Sequence, residues 1–499
     1  MAVGPGARSF AAAGLAVLGI AAAAPAGEEE IRRELDRTRE QVQQLLKRVE
    51  ELEGKSPGPA SPGDLGKAVE AYLAARPAAP GGCNVTAPGC RSIGFSGQVL
   101  VWWERWDGAY RVGDPAGLDV QDIGWLRAFL RADAEIDDGL RARIEVRDAR
   151  AFGQEPSTAT QLQAAGTGTD LKEGWFEADD LFGCGARTRA GRMALSYGDE
   201  RVVGNLDWAT YGRSFDGVLF SRVFERTKTK VDVFGARVTE RGAGGFTPGV
   251  DNDDRDFFGI YTTTPKALHH SDLDVYAFWL RDLLAAAGEM PGTAGNTGFL
   301  TAGARVAGAR DSLDWGMEGA VQGGSLAGDD LFAWAAHAHV GWTFLDAPWK
   351  PRVALEADVA TGDDDPADGD RGSFQTLFPT NHKHYGILDL MAWQNMRAAG
   401  ASLRLKPAGK WTIDFAAWRL QLDDEADAWY AASGAVLRTG APGASRDLGT
   451  EFDAVVTWKA SEHLRVALGG SQFLDGGFVR DTGGGGDAFW SYVRITVDF

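Results

Sequence analysis

Cysteine is nearly missing: three in 499 residues, too few for a disulfide framework to hold the fold. Beyond the N-terminal stretch no segment reaches about 18 uninterrupted apolar residues, so no helical membrane span is expected there. Net positive charge is missing too. Fifty-one Lys and Arg face 70 Asp and Glu, a formal charge of -19, which speaks against a nucleic-acid-binding surface. There is no nucleophile elbow, P-loop, dinucleotide fingerprint or HExxH. An enzymatic barrel would need a Ser or His with an acidic partner, and no motif points to one. No covalent chemistry and no cofactor is expected.

What is present is glycine, at 66 residues, and tryptophan, at 17. Gly-rich turns with many aromatics suit an all-β membrane barrel. Residues 1–26 read as a secretory signal: Arg8, the apolar "FAAAGLAVLGIAAAA", then "APA" before Gly27. Residues 27–57 carry a heptad pattern. Ile31, Leu35, Thr38, Val42, Leu45, Val49 and Leu52 alternate at spacings of four and three, the seam of a short coiled coil. The alternative is one amphipathic helix packed on something else. Residues 58–92 form a linker. Within it Cys83 and Cys90 are placed to close a small disulfide loop in an oxidising compartment, while Cys184 has no evident mate.

From residue 93 to 499 the pattern changes. Segments of about ten alternating residues recur, separated by turn signals. They start near 94, 124, 139, 170, 187, 212, 229, 255, 272, 298, 313, 331, 350, 394, 410, 449, 463 and 488, a count of 18. Alternate connections are short ("DDG", "FGCGA", "ERTK", "PKALHHS", "RDS", "DAPWK", "PAGK", "KASEH"), and the others are longer and polar. Short turns opposite long loops match the periplasmic and extracellular sides of an outer-membrane barrel. The predicted fold is therefore all-β: a closed antiparallel transmembrane barrel of about 18 strands, after a short periplasmic helical coil. The stretch "WSYVRITVDF" (490–499) reads as its last strand, pairing with the first to leave no open edge.

Period two sorts side chains between lipid and lumen. In "LRAFLRADAEI" Arg127, Arg131, Asp133 and Glu135 share one parity. In "LRARIEVR" Arg141, Arg143, Glu145 and Arg147 do so, and in "RVALEADV" Arg352, Glu356 and Asp358. Arg305, Arg404 and Arg494 fall inside by the same test. A lipid-facing arginine near the bilayer midplane would cost about 2–4 kcal/mol. These nine arginines should therefore face water, and a narrow cationic lining favours anions. The alternative is that they pair with the neighbouring acids and knit the wall.

Three stretches resemble the alginate-export porin family: "FLRADAEIDDGLRARIEVRDARAFGQ" (129–154), "GRMALSYGDERVVGNLDWATYGRSFDGV" (191–218) and "ATGDDDPADGDRGSFQTLFPTNHKHYGILD" (360–389). The resemblance covers about 93–499. It implies a monomeric 18-stranded outer-membrane barrel that carries an anionic polysaccharide outward through an arginine-lined, loop-gated constriction. Arg192, Asp199, Arg201, Asp207, Trp208, Arg213 and Asp216 match the signature and are candidates for the constriction or a loop plug, or for a rigidifying scaffold. Two departures stand out. The coil and cysteine loop lie outside the resemblance, and Leu219 follows "FDGV" where family members can carry a basic residue.

Weaker constellations remain. Asp363, Asp364, Asp365, Asp368 and Asp370 crowd one loop. They could hold Ca²⁺, although their spacing is not that of an EF-hand and a solvated loop is the plainer reading. His382 with His384, and His337 with His339, are pairs that need further ligands to bind metal. The sequence thus reads as a passive outer-membrane channel. Its partners would be lipid, an anionic solute or polysaccharide and, through the coil, a second copy or a periplasmic or cell-wall partner. The rival is a structural outer-membrane anchor that links to the cell wall through the coil.

Overall fold

The computed structural model describes residues 84–85, 90–108, 120–153, 168–239, 244–245, 255–483 and 486–499. The expected signal segment, the heptad helix and Cys83 lie outside these residues, and with Cys83 the Cys83–Cys90 bridge.

Eighteen long strands follow one another. They are β1 (Ser92–Asp107), β2 (Val120–Asp137), β3 (Leu140–Gly153), β4 (Gly168–Asp179), β5 (Arg187–Met193) and β6 (Phe215–Phe224). Next come β7 (Thr229–Val238), β8 (Arg255–Leu268), β9 (Ser271–Ala287), β10 (Ala294–Arg310), β11 (Leu313–Leu326) and β12 (Asp329–Thr343). The last are β13 (Arg352–Ala360), β14 (Met396–Leu405), β15 (Trp411–Gln421), β16 (Asp447–Lys459), β17 (Leu464–Asp475) and β18 (Ala488–Asp498). Each starts within four residues of its sequence-based expectation. Every strand pairs antiparallel with its sequence neighbours, and β18 closes on β1 from Gln98↔Asp498 to Asp107↔Phe489. The barrel is closed, so no backbone edge faces lipid.

Alternation drives this arrangement. On β18, Val493, Ile495 and Val497 are 43, 42 and 39% exposed, while Trp490 and Tyr492 are 2 and 5% exposed. The same outward, apolar row continues through Leu130, Ile144, Phe176, Val233, Ile260, Leu300, Val353, Phe415 and Phe452. In water such a belt would be an aggregation surface; in a bilayer it is solvated by acyl chains. The connections at 138–139, 180–186, 225–228, 269–270, 311–312, 344–351, 406–410 and 460–463 have eight residues or fewer, and on the opposite side 288–293 and 327–328 are short as well, against the expectation of longer loops there. In the two-residue turn 138–139, Gly139 takes φ 76°, a left-handed conformation that glycine adopts without strain.

On the long-loop side, two segments turn back into the barrel: 194–214, between β5 and β6, and 361–395, between β13 and β14. Their apolar residues form one buried cluster with inward side chains of the wall, including Leu195, Val202, Val203, Phe378, Leu390 and Trp393. The lumen therefore has a hydrophobic core of its own.

Candidate functional site

The two inward segments zip together through backbone. Phe378 donates to the carbonyl of Val202 at 3.0 Å, Gly204 to that of Phe378 at 2.7 Å, and Thr380 to that of Glu200 at 2.9 Å. Lys383 Nζ reaches Glu200 at 2.8 Å. Arg213 donates to the carbonyls of Gly204 and Pro379, at 3.3 and 3.0 Å. With burial the main influence, its guanidinium is pulled down to about 10. A cation this deep costs several kcal/mol unless hydrogen bonds compensate, and here carbonyls do so. One aromatic wall receives the plug. Tyr197 stacks on Tyr261 with ring centroids 4.4 Å apart and lies against Phe234 and Phe278. Period two had marked such inward positions only as facing away from lipid; filling them with rings requires a second layer inside, which the folded-in segments supply.

Arginines tie the plug to the wall. Arg127 donates to the carbonyls of Asp207 and Ala209 at 2.8 and 2.9 Å and to Gln98 at 2.7 Å. Arg147 pairs with Glu145 and with Asp207, at 2.5 and 3.0 Å. The deepest tie is Arg201. It reaches Asp358 at 3.0 Å, Glu356 at 3.1 Å, Asp199 at 3.5 Å and the Tyr385 hydroxyl at 2.6 Å. His337, Glu356 and Asp358 also bring three potential metal-ligating atoms within 4.8 Å of one another. The guanidinium already occupies that cage, and its Nη2 lies 3.3 Å from His337 Nε2. A metal ion there would meet a fixed positive charge. Close by, burial holds the His384 imidazole well below its usual range, and Arg201 adds to the effect.

The remaining expected lumen charges sort as follows. Arg131 pairs with Glu145, Arg143 with Asp133 at 2.6 Å, and Arg141 with Asp179 at 2.7 Å. Arg192 pairs with Asp216 at 2.7 Å and Arg305 with Asp274 at 3.0 Å. Arg352 meets Asp314, and Arg404 meets Asp414, each at 2.5 Å. Glu135 is exposed at the turn end of β2. Of the nine inward arginines read from period two, seven thus pair with carboxylates; Arg127 is held by carbonyls and Gln98 instead. The expectation that these arginines all face water does not hold for Arg127 and Arg147, and Arg201 and Arg213 of the folded-in segments are likewise enclosed. They point inward but are covered by the plug, where desolvation demands close partners.

Arg494 is different. It has no ion pair among the described residues. Its guanidinium carbon sits 4.1 Å from the ring centre of Trp208 and 5.7 Å from that of Trp102. It lines a cavity of about 470 Å³ together with the acids Glu200 and Asp207, the cations Lys383 and Arg465, and Tyr492, Thr380, Thr457 and Thr496. A neighbouring cavity of about 200 Å³ shares His382, Lys383 and Val455 and adds Arg352, Arg404 and Asp414. The wall residues come from the short-turn ends of β16, β17 and β18, so the larger cavity opens in that half of the barrel. Period two had selected Arg494. Trp208 is reached through the resemblance alone, and the sequence motifs do not single out Lys383, Arg465 or Tyr492. Strand parity could have found the two on β17 and β18; Lys383 sits in a non-periodic segment.

The aspartate loop does not assemble a cation site. Among the described residues its carboxylates form no three-ligand group. Asp363 is buried and accepts the amides of Asp365 and Gly372, each at 3.2 Å, while Asp364, Asp365, Asp368 and Asp370 are exposed. Nearby, burial and the adjacent Asp363 push the Glu289 carboxyl up to about 7, against the opposing pull of Arg371.

A closed, 18-stranded antiparallel barrel with a lipid-facing apolar belt and loops folded into its lumen defines an outer-membrane porin. The chain belongs to the alginate-export family, whose model matches residues 107–488. A search of curated proteins finds no match. Among solved structures the chain is similar to Pseudomonas aeruginosa OpdO, at 10% identity and a TM-score of 0.54, over 82% of this chain and 97% of that one. It is similar to P. aeruginosa OccK2 (OpdF), solved with glucuronate, at 9% and 0.52, over 81 and 98%. It is similar also to P. aeruginosa OpdK, solved with vanillate, at 8% and 0.53, over 81 and 98%. At such identities the likeness is one of fold.

Proposed function

We propose that this barrel is a passive channel for a small anionic solute, with the Arg494 cavity as its selective site. The carrying observation is Arg494 itself: a guanidinium with no ion pair among the described residues, on the wall of a cavity whose other cations, Lys383 and Arg465, already reach Glu200 and Asp498. A cation already neutralised by a wall acid offers an anion little; an unpaired one in a confined space attracts it strongly. The solved relatives with glucuronate and vanillate support a carboxylate cargo of that size. An alginate-like polymer is the larger alternative, and it would require both inward segments to withdraw. Direction follows the gradient, since a passive pore has none of its own.

The test is the reversal potential of the purified barrel in planar bilayers under a KCl gradient. The expected sign is anion-selective, and Arg494→Gln moves it toward zero without changing the temperature at which the folded band is lost on a gel. Cation selectivity in the unsubstituted protein would refute the anionic cargo.

A second reading, a structural anchor with a sealed lumen, is favoured by the apolar core that the two segments build inside the barrel. Absence of conductance under every condition would favour it. The periplasmic coil at 27–57 would then supply the attachment. Comparing the size in detergent of the mature chain with that of a chain starting at residue 93 tests whether the coil assembles copies.

A further inference from the structure

At the smaller cavity the wall carries two acids that no cation neutralises. Glu451 and Asp453 stand two apart on the inward face of β16, 0 and 7% exposed. Among the described residues neither has an ion pair, and Glu451 Oε2 and Asp453 Oδ1 are buried without a hydrogen-bond partner. The two side chains lie within hydrogen-bonding reach of each other. Their strand neighbours bring no charge: Trp418 and Ala416 stand opposite them on β15, Phe473 and Ser471 on β17. From the plug, the Leu388 amide donates to Glu451 Oε1 at 2.9 Å, joined there by the Ser471 hydroxyl at 3.2 Å. The Ile387 amide and His382 face Asp453, and His382 is paired with Asp389 at 3.1 Å. Tyr492 of β18 faces Asp453 from farther off. The charged groups that share the cavity with Asp453 are Glu356 and the cations Lys383, Arg352 and Arg404, which pair with Glu200, Asp314 and Asp414. Gly386 completes the seat. It takes φ 97°, and a Cβ there would collide with the Glu451 carboxyl.

We propose that Glu451 and Asp453 share one proton, and that the protonated pair is the latch on which segment 361–395 is seated. Two carboxylates in contact in a dry site, with no cation between them, do not both ionise. One proton between Oε2 and Oδ1 gives each orphaned oxygen its partner. A metal ion fits the seat badly. It takes oxygen ligands, and here two amide hydrogens and a hydroxyl are turned on the pair. When the segment lifts, water reaches both carboxyls and the proton leaves to solvent. The seated state thus binds one proton more than the lifted state. Seating is fully present at low pH and weakens as pH rises, by up to about tenfold per pH unit. The proton site stands apart from the channel reading; only its effect on conductance rests on it.

The proton is tested by infrared spectroscopy of the full mature chain in vesicles at about pH 7, where solvated carboxyls are ionised. The difference between the unsubstituted protein and Glu451→Gln should contain the C=O stretch of one protonated carboxylic acid. The Gln amide donates to Asp453 where the proton sat, so this variant keeps the gel mobility of the folded barrel. Asp453→Asn should remove the same band, and so should Gly386→Ala, which unseats the segment. The shared proton is overturned if neither Glu451→Gln nor Asp453→Asn removes an acid band. It is overturned equally if added Ca²⁺ raises the urea midpoint and Glu451→Gln abolishes that rise, since the pair then holds a metal. The latch is read in planar bilayers between about pH 6 and about pH 9. Openings of the unsubstituted protein should become more frequent with pH, by up to about tenfold per unit. Glu451→Gln should be flat and His382→Gln should keep the slope. Equal slopes in the unsubstituted protein and Glu451→Gln overturn the latch. A barrel that conducts under no condition refutes the channel reading, while the infrared band still decides the proton.

Discussion

Two arginine-bearing regions of the same barrel interior behave in opposite ways. Around Arg127, Arg147 and Arg201, on and against β2, β3, β12 and β13, each guanidinium is enclosed and its terminal donors reach carboxylates, carbonyls or a tyrosine hydroxyl of the plug and wall, while Nε of Arg127 and of Arg201 has no hydrogen-bond partner. Around β16–β18, Arg494 lies over an indole, has no ion pair among the described residues and faces a cavity. Arg127, Arg147 and Arg494 point inward from the wall, and Arg201 reaches the wall from the plug. What separates them is coverage. Where the segments 194–214 and 361–395 press on the wall, desolvation forces close pairing and the charge becomes structural. At Arg494 the segment 194–214 lays an indole, not an acid, on the guanidinium and leaves a cavity beside it.

Removing the deepest tie should have the largest effect. Arg201→Ala leaves Asp358 and Glu356 facing each other without their cation, an uncompensated buried pair worth about 3–5 kcal/mol. The expected outcomes are a lower midpoint in urea unfolding from lipid vesicles and a larger, noisier single-channel conductance as the plug loosens. Unchanged conductance would mean that segment 194–214 is held by its apolar packing alone, which would erase the contrast between the two regions.

The next largest effect tests facing rather than coverage. Val493 and Arg494 are adjacent, yet Val493 is 43% exposed on the apolar belt. Val493→Arg puts a cation into lipid at a cost of up to about 2–4 kcal/mol, depending on depth. It should lower folding yield while leaving ion selectivity as it was. Arg494→Gln should do the reverse.

The smallest effect lies at the loop end. Glu289, in the 288–293 connection, has its carboxyl raised to about 7 from an ordinary 4.5 by burial and by Asp363. The folded state therefore holds a proton that the unfolded loop releases. The contribution is fully present below about pH 4.5 and is lost as pH rises through about 7. Stability in urea should fall over that window, and Glu289→Gln should flatten the dependence.

Much of this molecule was legible as one-dimensional pattern. Alternation placed 18 strand starts to within four residues, because a strand in a bilayer must show lipid every second side chain and has no other way to be solvated. Val493, Ile495 and Val497 follow that rule, and so does the closure of β18 on β1. The fate of the arginines was not legible. Arg352 and Arg404 lie directly opposite each other on β13 and β14; Arg404 turns to Asp414 on the adjacent β15, whereas Arg352 reaches past β12 to Asp314 on β11. Register between strands decides such pairs, and it is invisible within one strand. The plug was harder still, since 194–214 and 361–395 carry no period.

By itself the sequence determined the barrel, its strand number and which face of each strand meets lipid, because those follow from the local alternation of side chains against a uniform apolar solvent. Only the tertiary structure decided which inward charges are consumed and which remain open. That depends on where two non-periodic segments, distant in sequence, come to rest on the wall, and on the water they exclude when they do.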